Sequence, residues 1–302
     1  MSRFGAVITA MVTPFDADGA VDLGLAETLA RHLVASGSDA LVVAGSTGEG
    51  SVLSDQEKLD LFQVVVGAVD VPVIGATGSN DTAHSVLLTK AAKSAGVAGI
   101  LAVTPYYNRP SPAGLSAHFR AMAAATDLPV ILYDIPVRSG RRIGPGLTVE
   151  LAREVPSIVA VKDATGDVAS AAIVVADSPA DFEVYCGDDS LTLPFASVGA
   201  VGVISVAAHW AGALFSEMLA CYRAGDVARA MVINQQLAES YRFQSSEDFP
   251  NPVPAKAACR ALRIGVGQCR LPNTHAPGSL DDQARAVISR LNRLNPAHQP
   301  VA

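Results

Sequence analysis

Basic clusters are missing from this 302-residue chain, which sets 22 Lys and Arg against 29 Asp and Glu for a formal charge of -7. Neutralising a phosphate backbone needs a basic face, so nucleic acid is excluded as a partner. Long apolar runs are missing as well: no stretch reaches the ~20 residues of a spanning helix without Gly, Pro or charge, so no membrane role is expected. Gly5 to Phe15 is apolar but holds Thr9, Thr13 and Pro14, and it lacks the basic leader and small-residue cleavage site of a signal peptide. It reads as a buried strand of a soluble, cytoplasmic protein. The four cysteines, Cys186, Cys221, Cys259 and Cys269, form no C-x-x-C pair, and a chain of this size folds without disulfide staples, so reduced structural thiols are expected. The six histidines are scattered without a zinc-binding spacing, and neither a metal nor another cofactor is expected.

What is present is a rhythm. Short β-rich runs recur at Ala6–Met11, Ala40–Val43, Val71–Ala76, Gly99–Val103, Pro129–Asp134, Ile158–Lys162, Phe182–Cys186 and Val201–Ser205. Helical periodicity fills the gaps, as at Leu25, Leu29, His32, Leu33 and Ser36, or Leu59, Phe62, Val65 and Val66. Such alternation implies parallel strands joined by crossover helices. Eight repeats in roughly 225 residues fit a closed α/β architecture, the (β/α)8 TIM barrel, whose usual length is about 250. The Gly-x-Gly-x-x-Gly fingerprint of a dinucleotide fold is absent after the first run.

Beyond Gly225 only helical patterns remain, at Asp226–Arg242, Pro254–Ile264 and Leu280–Leu294, with the Pro-rich stretch Ser245–Pro254 between the first two. The expected organisation is a catalytic barrel over 1–224 and a small C-terminal helical domain over 225–302. That domain serves packing or oligomer contact, and a Pro-containing tail from Asn295 is expected to be loose.

In a barrel of this type, reactive groups sit at the C-terminal ends of strands. The lysines are Lys58, Lys90, Lys93, Lys162 and Lys256. The first three fall on helical segments and read as solvated. Lys162 ends the run Ile158-Val159-Ala160-Val161, and period-two alternation puts it on one face with Ala160 and Ile158. If that face is the barrel interior the amine is buried, which is costly without a purpose. The competing reading is a strand-end lysine reaching solvent. A free lysine amine, with a pKa near 10.4, is neutral in only about one molecule in a few thousand at pH 7, and withdrawal from water favours the neutral, nucleophilic form. A carbonyl condensed on such an amine becomes an iminium that loses an α-proton to give an enamine. Tyr133 ends the adjacent run Pro129–Leu132, where neighbouring strands lie about 4.8 Å apart, within reach as a proton shuttle. After the second run comes Gly45-Ser46-Thr47-Gly48-Glu49-Gly50, a tight turn able to cradle a carboxylate with hydroxyls and backbone N–H groups. Glu49 is a candidate base, or a structural carboxylate at the start of the next helix.

Gly45 to Glu49, Thr104-Pro105-Tyr106-Tyr107-Asn108-Arg109-Pro110, Tyr133-Asp134-Ile135-Pro136-Val137-Arg138-Ser139-Gly140, Val161-Lys162-Asp163-Ala164-Thr165-Gly166 and Gly187-Asp188-Asp189 together resemble the dihydrodipicolinate synthase / N-acetylneuraminate lyase family, essentially end to end. The resemblance implies pyruvate bound as a Schiff base on Lys162, its carboxylate held by the Ser46-Thr47 turn. Tyr133 matches the proton-transfer tyrosine, and Ser46 and Tyr107 match the rest of the hydroxyl relay. In the family Tyr107 reaches in from a neighbouring subunit of a homotetramer built as a dimer of dimers. Gly187 and Ile204 are expected among the substrate-binding positions.

Arg138 followed by a small hydroxylated residue and glycine resembles the synthase branch, where the arginine holds the carboxylate of a small aldehyde, L-aspartate 4-semialdehyde, on the way to lysine and diaminopimelate. An Arg-carboxylate fork fixes orientation as well as charge. Asn251-Pro252-Val253-Pro254 is similar to a motif of the same branch. Ser46 departs from it, standing where synthases typically carry threonine. Asp55, Lys58 and His84 replace the positions of lysine-sensitive enzymes, leaving Asn80 and Tyr106, so weak or absent lysine feedback is expected. Two alternatives stay open: a sister aldolase cleaving N-acetylneuraminate or a 2-keto-3-deoxy sugar acid, and a non-catalytic ligand-binding barrel.

Overall fold

The computed structural model describes residues 2–295. Eight parallel strands close into one barrel in sequence order: β1 (Val7–Ala10), β2 (Ala40–Val43), β3 (Val73–Ala76), β4 (Gly99–Val103), β5 (Val130–Asp134), β6 (Ile158–Asp163), β7 (Glu183–Cys186) and β8 (Gly202–Ser205). Closure is made by β8 pairing with β1, Ile204 beside Ile8. Each strand falls within a run read from the sequence, except that β6 continues one residue further, to Asp163.

Alternation sorts the strand side chains into two layers. Ile8, Val42, Ile74, Leu101, Ile131, Tyr185 and Ile204 fill the barrel, with Phe4 of the N-terminal segment among them. Val7, Leu41, Val43, Ile100, Leu132, Val184 and Val203 face outward into the shell of Leu29, Leu33, Phe62, Phe119 and Phe215. Both faces of the sheet are therefore largely apolar, as a helix-covered parallel sheet requires.

One inward assignment fails. Ile158 belongs to the outer layer, while Val159 and Ala160 both join the interior. The register slips by one residue on β6, from Val130 beside Ile158 to Ile131 beside Ala160, and an extra residue of this kind reverses the face of everything before it. Past the slip the alternation from Ala160 to Lys162 is intact.

The shell helices are α1 (Leu23–Ala35), α2 (Asp55–Ala68), α3 (Thr82–Ser94), α4 (Pro112–Ala124), the single turn α5 (Pro136–Ser139), α6 (Pro145–Glu154), α7 (Val168–Asp177), α8 (Thr192–Ser197) and α9 (Ala208–Arg223). Their starts are written in the sequence: Asp22, Asp81 and Asp167 accept first-turn N–H groups, Ser54 and Glu57 close a reciprocal capping box, and Ser111 caps ahead of Pro112.

After β8 the described residues hold no further strand. The helical pattern over 226–242 is two helices, α10 (Val227–Gln236) and α11 (Ala238–Phe243), meeting at Leu237; α12 (Val253–Ala261) and α13 (Gly278–Leu294) follow. Their buried residues, among them Ile233, Val253, Ala258, Leu280, Ile288 and Leu291, belong to the same apolar cluster as the barrel's outer layer. The tail after Asn295 lies outside the described residues. No described helix is long and apolar enough to cross a membrane.

Candidate active site

Lys162 and Tyr133 are register partners at the C-terminal ends of β6 and β5. Both point into the barrel and both are buried, at 5% and 4% exposure, and the lysine Nζ lies 4.3 Å from the centre of the tyrosine ring. Thr104 holds the end of β5, its backbone N–H and its hydroxyl each donating to the Tyr133 carbonyl at 3.0 Å. The solvent-reaching alternative for Lys162 is thereby removed.

The turn after β2 is built from short-range constraints. Gly50 N–H donates to Gly45 O at 3.0 Å and Glu49 N–H to Ser46 O at 3.2 Å, while Thr13 Oγ1 donates to Gly48 O at 2.6 Å. A Cβ on Gly50 would stand 1.9 Å from Ala44 O, so only glycine fits. Ala44 and Glu49 occupy the left-handed region at φ 58° and 55°, a conformation that persists in non-glycine residues only where surroundings enforce it. What enforces it at Glu49 is a buried ion pair: its Oε1 lies 2.7 Å from Lys256 Nζ, each side chain 1% exposed. The carboxylate's other oxygen accepts the Arg270 N–H at 2.9 Å. Glu49 is thus a structural carboxylate rather than a free base.

Thr47 is buried and accepts from Asn251 Nδ2 at 3.0 Å. The carbonyl of the same Asn251 accepts from Arg138 Nη2 at 3.1 Å. Arg138 rides on α5, whose last residue, Ser139, accepts the Tyr107 N–H through its carbonyl at 3.3 Å. Three loops, after β2, β4 and β5, are therefore joined through Asn251 and Ser139.

A cavity of about 530 Å³ opens here, lined among others by Ser46, Tyr133, Arg138 and Asn251. Of the residues singled out from the sequence, Ser46, Glu49, Tyr133 and Arg138 line it directly, Lys162 adjoins it across the Tyr133 ring, and Thr47 adjoins it through Asn251. Three stand apart from its lining. Tyr107 is 91% exposed at φ 74°; Ile204 is buried in the barrel interior; and Gly187 packs at the end of β7, its N–H donating to Asp163 O at 2.7 Å, where a Cβ would stand 2.7 Å from Ala164 Cβ.

At its outer end the cavity meets Asp55, Lys58, His84, Asn80 and Tyr106. His84 Nε2 lies 2.8 Å from Asp55, and Lys58 Nζ lies 3.8 Å from the same carboxylate. Lys58 is not the solvated lysine its helix suggested: its side chain is 12% exposed, and burial lowers its pKa. Lys90 and Lys93 are exposed as expected.

Chain comparison agrees with this geometry. Residues 3–291 match the model of the dihydrodipicolinate synthetase family. The chain belongs to that family. It is 48% identical over 296 residues to the 4-hydroxy-tetrahydrodipicolinate synthase of Moorella thermoacetica, covering 97% of this chain and 100% of that one, and 47% identical over 274 residues to that of Bacillus subtilis, covering 89% and 93%. Among solved structures it is similar to the Cyanidioschyzon merolae enzyme with lysine bound, at 41% identity and a TM-score of 0.93, covering 97% of this chain and 99% of that one.

Within this family member, sequence reasoning missed the partners that hold the site. Lys256 was counted among the lysines without a reading of its own, and Asn251 was only part of a motif. The signal for Lys256 was present, since it lies in an otherwise small and apolar stretch, Val253 to Cys259. The acids that follow Tyr133 and Lys162 in sequence were likewise quoted without a role. Asp134 accepts the Ile143 and Gly144 N–H groups at 3.1 and 3.4 Å, pinning the loop after Arg138, and burial raises its pKa to about 6. Asp163, whose pKa burial also raises, accepts the Thr165 N–H and hydroxyl.

Proposed function

We propose that the chain is a 4-hydroxy-tetrahydrodipicolinate synthase, condensing pyruvate with L-aspartate 4-semialdehyde. The observation that carries this reading is the buried Lys162 amine 4.3 Å from the Tyr133 ring centre, beside a cavity bearing Arg138. The Lys162 amine attacks the pyruvate ketone, and loss of water leaves an iminium, with Tyr133 moving protons between nitrogen, oxygen and solvent in a relay with Ser46 and Tyr107. The iminium draws electrons from the methyl group, which gives up a proton to form the enamine. Ser46 and Thr47 hold the pyruvate carboxylate, while Arg138 forks onto that of the aldehyde. The enamine carbon attacks the aldehyde carbon, and the acceptor's own amine then displaces Lys162 and closes the ring. Gly187 and Ile204 stay proposed substrate-binding positions, although neither lines the cavity.

Tyr107, exposed at a left-handed φ, supports a homotetramer in which this side chain enters a neighbouring subunit's site. The four unpaired cysteines favour a reducing compartment, and the cytoplasm is the proposed location. A sister sugar-acid aldolase is the second reading, favoured by Ser46 alone. Arg138 opposes it, because a polyhydroxylated substrate calls for neutral hydrogen-bonding groups there. Feedback by lysine is expected to be weak or absent, since a lysine ligand entering the outer end of the cavity meets Lys58 where Asp55 is already engaged with His84. Strong inhibition by millimolar lysine in the steady-state assay overturns that expectation.

The deciding experiment is borohydride reduction with pyruvate followed by intact-mass and peptide mapping, then turnover of aspartate semialdehyde, N-acetylneuraminate and 2-keto-3-deoxygluconate. A pyruvyl adduct on Lys162 with turnover of aspartate semialdehyde alone is the expected result. An adduct with turnover of another substrate moves the chain to a sister aldolase, and no adduct makes it the non-catalytic barrel.

A further inference from the structure

From the buried charges behind the β2 turn, we infer that Glu49 and Lys256 are positioning residues that set how tightly the site grips its keto-acid carboxylate. The inference rests on the proposed function, in which the Ser46-Thr47 segment is the carboxylate cradle.

Glu49 is separated from Thr47 only by Gly48, and its N–H closes the turn onto Ser46 O at 3.2 Å. Its backbone is held at φ 55°, ψ 32°, and its carboxylate is held from the far side by elements of the C-terminal segment. Lys256 Nζ stands 2.7 Å from Glu49 Oε1, donates to Gln268 O at 2.9 Å and lies 4.0 Å from the Phe15 ring centre. Arg270 presents its N–H to Glu49 Oε2, stacks on the same Phe15 ring at 4.4 Å, and sends its guanidinium to Glu57 and to the carbonyls of Gly19 and Val52. The Glu49 carboxylate is therefore clamped from two sides, by the Lys256 ammonium and the Arg270 N–H, and both of these groups are themselves fixed.

A surface carboxylate at this point leaves the turn free to sample the right-handed conformations that glutamate prefers. The clamp removes that freedom. It also makes the aim of the Ser46 hydroxyl and the Ser46-Thr47 N–H groups depend on α12, a helix outside the eight β/α repeats. The neighbouring tie, Asn251 to Thr47, comes from the residue before Pro252, the cap of α12, the helix bearing Lys256. One stretch of chain thus locates the cradle at two points, through a side-chain amide and through an ion pair. Neither Glu49 nor Lys256 is assigned contact with a substrate.

The test compares Glu49→Gln, Lys256→Met and the double variant with the natural chain. It reads the pyruvate concentration that half-saturates borohydride trapping on Lys162, and the KM for aspartate semialdehyde at saturating pyruvate. The double variant leaves no buried charge unpaired, so it keeps the comparison available where a single variant does not fold; near-UV circular dichroism reports folding. The expected result is a rise of about tenfold in half-saturating pyruvate, equivalent to about 1.4 kcal/mol of binding, with trapping still complete at saturation and the aldehyde KM unchanged. A merely structural role lowers the fraction of trappable protein and leaves half-saturation where it was. An unchanged half-saturation in the folded double variant overturns the inference. Failure of the natural chain to trap pyruvate overturns the proposed function instead.

Discussion

Asn251 touches both halves of the site at once, donating through its side chain to Thr47 at 3.0 Å and accepting at its carbonyl from Arg138 at 3.1 Å. The two contacts are separable because one belongs to the side chain and the other to the backbone. Asn251→Ala loses only the Thr47 bond, a net change of roughly 0.5–1.5 kcal/mol, and raises the pyruvate KM by a few-fold. Asn251→Asp keeps the shape but sets a negative charge beside the carboxylate cradle, and it raises the pyruvate KM further than alanine does. Steady-state kinetics with pyruvate varied checks the order, and an aspartate variant as good as the natural chain refutes the cradle.

Tyr133 presents its ring to Lys162, and the proposed function gives its hydroxyl the proton transfer. Tyr133→Phe keeps the ring face under the amine and removes only the proton shuttle, so kcat falls by about 10²–10⁴ while thermal stability moves little. Borohydride trapping of pyruvate still reaches Lys162, more slowly. Stopped-time trapping with intact-mass detection measures this, and an unchanged rate of adduct formation assigns the shuttle to another group.

Barrel order, strand positions and the inward, buried placement of Lys162 were legible because each depends on local pattern: eight β-rich runs, the phase from Ala160 to Lys162, and capping residues such as Asp22 and Ser54. The inward reading of Ile158 failed because a register slip on β6 is a property of two paired strands, and period-two alternation counts along only one. The Glu49–Lys256 pair escaped for a similar reason. Its members are far apart in sequence, and a lysine on a helix is solvated unless the fold brings a carboxylate to it. The Asn251 tie likewise joins residues 204 positions apart. Local pattern located the candidate site residues, whereas the contacts that hold them in place are long-range.

His209 makes stability depend on pH with a sign that its contacts fix. It is 1% exposed, accepts the Val12 N–H at Nε2 (3.1 Å) and meets the Val206 carbonyl at Nδ1 (2.7 Å), so the imidazole is neutral with its proton on Nδ1. Burial lowers its pKa from 6.5 to about 4. The unfolded chain therefore takes up a proton between those values that the fold refuses. The contribution is whole above pH 6.5 and is lost as pH falls toward 4, by about 3 kcal/mol in all. Asp134 and Asp189, whose pKa values burial raises to about 6, act in the opposite sense, favouring the fold as pH falls through 6 toward the ordinary carboxylate range. The total curve hides the histidine, but a difference curve isolates it. His209→Gln is expected to be less stable than the natural chain at pH 7.5, with the gap closing toward pH 4.5 in urea titrations. A gap that stays constant with pH contradicts the assignment.

The Glu49–Lys256 pair makes a separate prediction about stability. Both side chains are 1% exposed, and burial pulls the Lys256 pKa down against the raising effect of Glu49. Desolvating two charges costs nearly what their attraction returns, so the pair adds little net stability, but breaking it strands a charge, at about 3–5 kcal/mol. Glu49→Gln leaves Lys256 with only the Gln268 carbonyl and the Phe15 ring, and Lys256→Met leaves Glu49 with the Arg270 N–H. Each single variant is therefore expected to lose several kcal/mol, and the double variant less than the worse of the two. Chemical denaturation of all four proteins measures the cycle. Additive losses in the double variant mean that the charges do not sense one another, and the clamp on the turn then comes from packing around Phe15 rather than from the ion pair.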